Sequence, residues 1–250
     1  LGSQIISYMN FLQKSQGNKT IACDVSFFLK SVDDLDFIEK LTYRSWKLDY
    51  FDIDLLSFKN QESNLRLRPN TKIQGEMMEE FFSNFEKDDR WQYLFPIRVE
   101  TTDLINSKYD LSNSNYTAIH VRKGDFLKFA SLNILDSEMF MTLRSLKNIL
   151  NKKIFLISDS PFDEDYMNTI NQLFDNHIVE FINGGDEIEI HALLRGADIL
   201  VTSNSMYSLS AALLQKNEGL AIMPKHFYGK EFFSHNKAIM SLSKWLIVSN

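Results

Sequence analysis

Thr117-Ala118-Ile119-His120-Val121-Arg122-Lys123-Gly124-Asp125-Phe126 reads as a buried strand that ends abruptly in a charged, glycine-containing turn. Ala118, Ile119 and Val121 suit a strand, whereas the Arg-Lys-Gly-Asp run does not. In α/β proteins ligands sit just beyond the carboxyl ends of strands, so an arginine emerging there is placed to meet an anion. Its planar guanidinium can clamp two oxygens of one phosphate and stays charged at any working pH. Gly124 lets the chain turn where a side chain would block a ligand, and Asp125 can hold either Arg122 or the turn by hydrogen bonds. His120 alternates with Val121 and faces the other side of the strand. Taken alone, the run reads first as a strand end with a solvated charge cluster; the rest of the chain bears on the choice.

At 250 residues the chain is long enough for one large domain or two small ones with a substantial core. Hydrophobic residues make up 44% and charged residues 24%, which excludes disordered and fibrous classes. Acidic residues outnumber basic ones 33 to 27, so no global basic field attracts nucleic acid and any anion site must be local. The one cysteine, Cys23, allows no disulfide within the chain and fits a reducing, cytoplasmic compartment; a buried strand thiol is its expected role. No run reaches the roughly 18 to 20 apolar residues of a membrane helix, and no signal peptide opens the sequence. The expectation is a soluble protein, at most peripheral to a membrane. Because the first residue is Leu1 rather than methionine, a strand is expected to have preceded it.

Moving along the chain, residues 5–16 place Ile5, Ile6, Met9, Phe11 and Leu12 near helical spacing, with Gly17-Asn18 as a stop. Leu1-Gly2-Ser3-Gln4 reads as a loop feeding that helix. It is either a phosphate- or sugar-facing N-terminus or a plain cap with Ser3 as the N-cap. Residues 20–25 read as a strand, and strand, helix, strand opens a parallel sheet. Leu65-Arg66-Leu67-Arg68 alternates like an edge strand, and residues 77–85 read as an aromatic-rich helix with Phe81, Phe82 and Phe85 in the core. Residues 87–109 carry Pro96 and polar breaks, and Ser112-Asn113-Ser114-Asn115 is the expected interdomain linker.

Beyond the central strand the pattern alternates regularly. Helices are predicted over 137–151, 162–174, 186–195 and 207–215, and strands over 153–157, 178–181, 198–202 and 221–223. The result is a doubly wound α/β domain with polar strand ends at Arg122, Ser158 and Ser203, which converge on one crevice. There is no P-loop, GxGxxG, HExxH or GxSxG, and the five histidines are scattered, so neither a metal site nor a serine triad is indicated.

His120-Val121-Arg122-Lys123-Gly124-Asp125-Phe126 also resembles the HxRxGDY block of family 11 glycosyltransferases, the α-1,2-fucosyltransferases, a block shared with the wider α-1,6 and protein O-fucosyltransferase group. Further blocks follow in order. Leu1-Gly2-Ser3-Gln4 and Asp24-Val25-Ser26-Phe27-Phe28 are similar to GGLGNQ and LDLSFF. Ile73-Gln74-Gly75 is similar to LQGY, and Ser158-Asp159-Ser160-Pro161 to SDDP. Asp186-Glu187-Ile188 and Ser203-Asn204-Ser205-Met206-Tyr207-Ser208 are similar to DLYLMSQC and SNSTFSWW. Met223-Pro224-Lys225 and Lys244-Trp245-Leu246-Ile247 fall at APK and the closing tryptophan.

The resemblance implies a GT-B-like α/β fold, with two Rossmann-like domains facing a central cleft. Residues 1–114 would form the acceptor side, 115–228 would bind the GDP-sugar, and 229–250 would be a tail packed back on the body. It implies GDP-L-fucose as donor, a glycan acceptor of polysaccharide synthesis, inversion with an α-1,2 linkage, and neither metal nor cofactor. Arg122 and Asp125 would be catalytic, with Arg122 on the β-phosphate. His120, Gly124, Asp159, Asp186, Ser203, Asn204 and Ser205 would complete the donor site, the two aspartates as guanine or ribose contacts. Gly2, Ser3 and Gln4 would lie on the sugar and acceptor side. The chain departs from the pattern at Ser3, where the family has asparagine, and at Leu209-Ser210, where it has a tryptophan pair. Hence two alternatives stand beside the main reading: transfer from another GDP-sugar, and GDP-sugar binding without turnover.

Overall fold

A computed structural model describes residues 1–15, 21–22, 28, 31, 33, 45–58, 65–66, 80–85, 89–111, 114–123, 143–216, 218–224, 227 and 245–248. Its centre is strand β3 (Tyr116–Val121), buried at all six positions. To one side lie β4 (Lys153–Ser158) and then β5 (Ile178–Asn183); to the other lie β6 (Ile199–Val201), β7 (Leu220–Pro224) and β8 (Trp245–Val248). Each neighbouring pair is parallel. The chain thus builds outward from β3 through β4 to β5, returns across the sheet, and builds outward again from β6, so its winding reverses between β3 and β6. Such a reversal is the topological switch point of a Rossmann-type sheet. The two-stranded parallel piece formed by β1 (Ile21–Ala22) and β2 (Leu65–Arg66) is separate from it.

Parallel strands need crossovers, and helices supply them. Helix α4 (Glu164–Leu173) joins β4 to β5, α5 (Glu187–Gly196) joins β5 to β6, and α6 (Met206–Leu213) joins β6 to β7. Each begins with a polar side chain accepting an otherwise orphaned N–H: Asp163 from Tyr166, Asp186 from Ile188 and Glu189, and Ser205 from Tyr207. Both faces of the sheet are covered. Ala118, Phe155, Ile157 and Leu200 pack on one side with Leu193 and Leu194 of α5 and Ala211 of α6. Ile119, Val121, Ile154 and Leu156 pack on the other with Leu143, Ile170 and Phe174. Burial on both faces is why these strands read as continuous apolar runs.

Helix α1 (Gly2–Ser15) completes a third cluster, with Ile5, Ile6 and Met9 against Leu209 and Leu213 of α6, together with Phe81, Phe82, Trp91 and Phe95. Residues 1–15 and α6 therefore share one core. The expected core role of Phe81 and Phe82 holds, each being 1% exposed.

Two sequence expectations change, and one strand is added. The helix begins at Gly2, where Ile5 N–H donates to the Leu1 carbonyl, so Ser3 lies inside the first turn and is not its cap. The stretch expected to be broken by Pro96 holds α2 (Asp89–Leu94) and α3 (Val99–Lys108) on either side of that proline. Residues 245–248 are the outer strand β8. Cys23, Gly17-Asn18, Gly75 and residues 137–142 of the predicted 137–151 helix lie outside the described residues, as do Ser112 and Asn113 of the expected linker; within 143–151 the helix covers 143–146 and gives way to turns.

The starts of α1 and α6 touch. A Cβ on Gly2 would fall 2.4 Å from both the Met206 carbonyl oxygen and the Tyr207 Cα. Backbone cannot yield as a side-chain tip does, so only glycine fits there. Gly2→Ala is expected to cost about 1–3 kcal/mol by overpacking and to lower Tm by about 2–4 °C per kcal/mol. Thermal melting checks this, and an unchanged Tm would contradict the contact.

Candidate functional site

The strand ends meet as the winding predicts. Val121 and Ser158 are register partners at the last positions of β3 and β4, and Ile119 pairs with Val201 at the end of β6. Beyond them opens a cleft of about 610 Å³. It is lined by His120, Arg122, Asp159, the Gly184-Gly185 turn, the touching starts of α1 and α6, and Phe28.

Arg122, the first residue past β3, is partly exposed, and its Nη1 lies 2.9 Å from Asp159 Oδ2. The other oxygen, Oδ1, accepts the Lys123 backbone N–H at 3.1 Å. Lys123 turns the opposite way. Its ammonium lies 4.1 Å from the Tyr166 ring centroid and 5.3 Å from that of Phe162, with Asp163 at 4.0 Å. Successive cations thus separate, one to the cleft and one to an aromatic seat on α4.

His120 lies two residues before Arg122 on the α5–α6 side of the sheet, with its ring 5.7 Å from Tyr207. Its Nδ1 shares a 2.7 Å hydrogen bond with Ser203 Oγ. Burial first, and the Arg122 charge second, push its pKa down to about 3. The imidazole is therefore neutral. His191 on α5 flanks Tyr207 from another side at 5.4 Å and bonds Ser210 Oγ through Nε2. Burial, Arg195 and the chain's amino group hold it well below the ordinary histidine value.

The remaining wall is built from backbone. Gly184 and Gly185 have φ of 70° and 123°, conformations that favour glycine, and Gly184 N–H donates to the Ser158 carbonyl at 2.8 Å, drawing the β5–α5 turn against the end of β4. The Tyr207 hydroxyl donates to the Glu187 carbonyl, tying α6 to the start of α5. Burial, with Glu187 and Asp186 nearby, raises the Tyr207 hydroxyl well above its usual pKa, so it remains a donor. The N-terminal ends of α1 and α6 meet here, each presenting N–H groups and a positive dipole end.

Of the residues expected from sequence, Gly2, Ser3, Gln4, His120, Arg122, Asp159 and Ser205 line this one cleft. Gln4 also ties residues 45–47 to α1, its Oε1 accepting Lys47 N–H at 2.9 Å and its Nε2 donating to the Ser45 carbonyl at 2.7 Å. Ser203 and Asn204 are buried and are not among the lining residues; Ser203 is spent on His120. Asp186 is likewise not among the lining residues and caps α5, its Oδ1 accepting the Ile188 and Glu189 N–H groups at 2.9 and 3.0 Å. Gly124 and Asp125 lie outside the described residues. The sequence reading missed Glu187, Met206 and Tyr207 as cleft residues, although their places just inside two capped helices were a usable signal.

Among the described residues no group of three His, Cys, Asp or Glu side chains could hold a metal ion, and no helix is long and apolar enough to cross a membrane. No known family profile matches the chain, and no curated protein sequence does.

Solved structures give distant likenesses. A POFUT1 complex with GDP is 17% identical over 58% of this chain and 49% of that one, at a TM-score of 0.41. The α-1,6-fucosyltransferase NodZ soaked with GDP-fucose is 15% identical over 86% and 89%, at 0.44. A UDP-forming α,α-trehalose-phosphate synthase from Burkholderia xenovorans is 13% identical over 67% and 42%, at 0.34. The chain spans about half the length of the POFUT1 chain it matches. The strand order and cleft geometry stand independently of these likenesses, and none of them assigns a substrate to this chain.

Both buried histidines tie stability to pH. Above the ordinary value of 6.5 they are neutral in the folded and unfolded chain alike. As pH falls through 6.5 the unfolded chain takes up protons that the folded chain refuses, and for His120 the loss continues toward about 3. Stability should therefore decline on acidification by up to about 1.4 kcal/mol per pH unit for each histidine. His120→Gln should remove one histidine's share of that slope in denaturant titrations run between about pH 4 and 7; an unaltered slope would contradict the buried neutral state.

Proposed function

We propose that the protein is an inverting glycosyltransferase that moves L-fucose from GDP-L-fucose to a hydroxyl of a glycan acceptor, in the manner of the family 11 α-1,2-fucosyltransferases. The GT-B-like arrangement of two Rossmann-type halves belongs to the same proposal. One observation carries it: Arg122 stands at the switch point of the sheet, in a cleft shared with the starts of α1 and α6. Sequence blocks resembling the family's meet in that cleft from distant parts of the chain, Gly2-Ser3-Gln4 with His120, Arg122, Asp159 and Ser205.

The chemistry follows from charge. The acceptor hydroxyl oxygen attacks the anomeric carbon from the face opposite GDP and gives up its proton to solvent, the carbon–oxygen bond to the β-phosphate breaks, and negative charge grows on the departing diphosphate. Arg122 and the helix N–H groups answer that charge, so this reading needs no metal. Neutral His120 and its Ser203 partner hold the strand end that carries Arg122 and add no charge of their own.

Ser3 favours a second reading. It lines the cleft where the resembled family has asparagine, so another GDP-sugar is the alternative donor. GDP-sugar binding without turnover, the third reading, separates from both in a donor-hydrolysis assay.

Calorimetry with GDP, GDP-fucose and GDP-mannose tests the proposal. GDP should bind, and GDP-fucose should bind more tightly than GDP-mannose. Arg122→Ala should keep the fold while transfer drops about 10²–10³-fold, the usual loss for one charge-stabilising donor. Folded wild-type protein giving no heat with GDP would overturn the proposal.

A further inference from the structure

Asp159 sits where the sequence suggests a contact to ribose or guanine, yet its carboxylate is already committed twice. Oδ2 pairs with Arg122 Nη1 at 2.9 Å, and Oδ1 accepts the Lys123 N–H at 3.1 Å. Both carboxylate oxygens therefore face β3, the side chain and the backbone of its exit being gripped together. The turn that carries Asp159 is itself held, since Ser158 Oγ accepts the Ser160 N–H at 3.2 Å and the Ser158 carbonyl accepts the Gly184 N–H at 2.8 Å. From the far side, the aromatic seat of Lys123 against Tyr166 and Phe162 fixes the next residue.

We propose that Asp159 is a positioning residue that acts through Arg122, presetting the guanidinium in the cleft rather than binding the nucleotide itself. The proposal rests on the reading of Arg122 as the diphosphate clamp. Its physical basis is that an ion pair made before the ligand arrives removes rotamer freedom that binding would otherwise have to remove. A carboxylate beside a diphosphate also repels it, so any gain from Asp159 must come through the arginine it aligns.

A double-mutant cycle separates the two roles. GDP affinity would be measured by ligand-observed NMR, which reaches into the millimolar range, for wild type, Asp159→Asn, Arg122→Ala and the double variant. Asp159→Asn keeps the shape of the side chain and an acceptor for the Lys123 N–H. It should weaken GDP binding about tenfold beside Arg122, and about twofold or less once Arg122 is alanine. Equal losses in both backgrounds would overturn the positioning role, since a direct nucleotide contact or a general structural defect acts whether or not the arginine is present. Undiminished affinity in the single Asp159→Asn variant would overturn it too. Wild-type affinity in Arg122→Ala would instead overturn the clamp reading underneath. Circular dichroism and melting confirm folding, and if Asp159→Asn does not fold, the same cycle is run with Asp159→Glu, which keeps the charge but displaces it by one methylene.

Discussion

The backbone contact between Gly2 and the Met206–Tyr207 peptide is the constraint on which the cleft depends. Two helices that begin far apart in sequence start at nearly the same point in space, which is possible only because α1 presents a glycine to the α6 backbone at the crossing. The contact places the dipole ends of α1 and α6 side by side and lets Ile5 and Met9 interlock with Leu209 and Leu213. The starts of α1 and α6 are therefore continuous with a single core, and their part of the cleft is as well defined as the packing beneath it.

Below the cleft, the polar groups that would be costly to bury are matched to one another. His120 meets Ser203, His191 meets Ser210, and the Tyr207 ring lies between the two imidazoles with its hydroxyl on the Glu187 carbonyl. Buried polar atoms satisfied in this way specify one arrangement of β3, α5 and α6, because a shifted helix would leave them without partners. The floor of the site is thereby aligned by hydrogen bonds, and the sheet beneath it by apolar contact.

Much of this was legible in the chain because its signals are local. Strands buried on both faces appear as unbroken apolar runs, and Asp163, Asp186 and Ser205 announce the helices they cap. Arg122 stood out as a charge at the end of such a run. The helices α2 and α3 did not, since Tyr93 is 84% and Val99 70% exposed and few of their positions are buried, leaving no apolar stripe to read. β8 was hidden because its strand character comes from pairing with β7, which sequence spacing does not express. Within the site, Asp159 and Asp186 look alike as carboxylates after strands. Only coordinates separate one that grips an arginine from one that caps a helix.

The pairing of an imidazole displaced to about 3 with a guanidinium two residues later has a further consequence. The imidazole stays uncharged near neutrality, so it adds no pH-dependent charge to this portion of the cavity. Whatever acid–base sensitivity an occupant experiences against this ring belongs to the occupant, and the ring beneath it behaves as a passive mould.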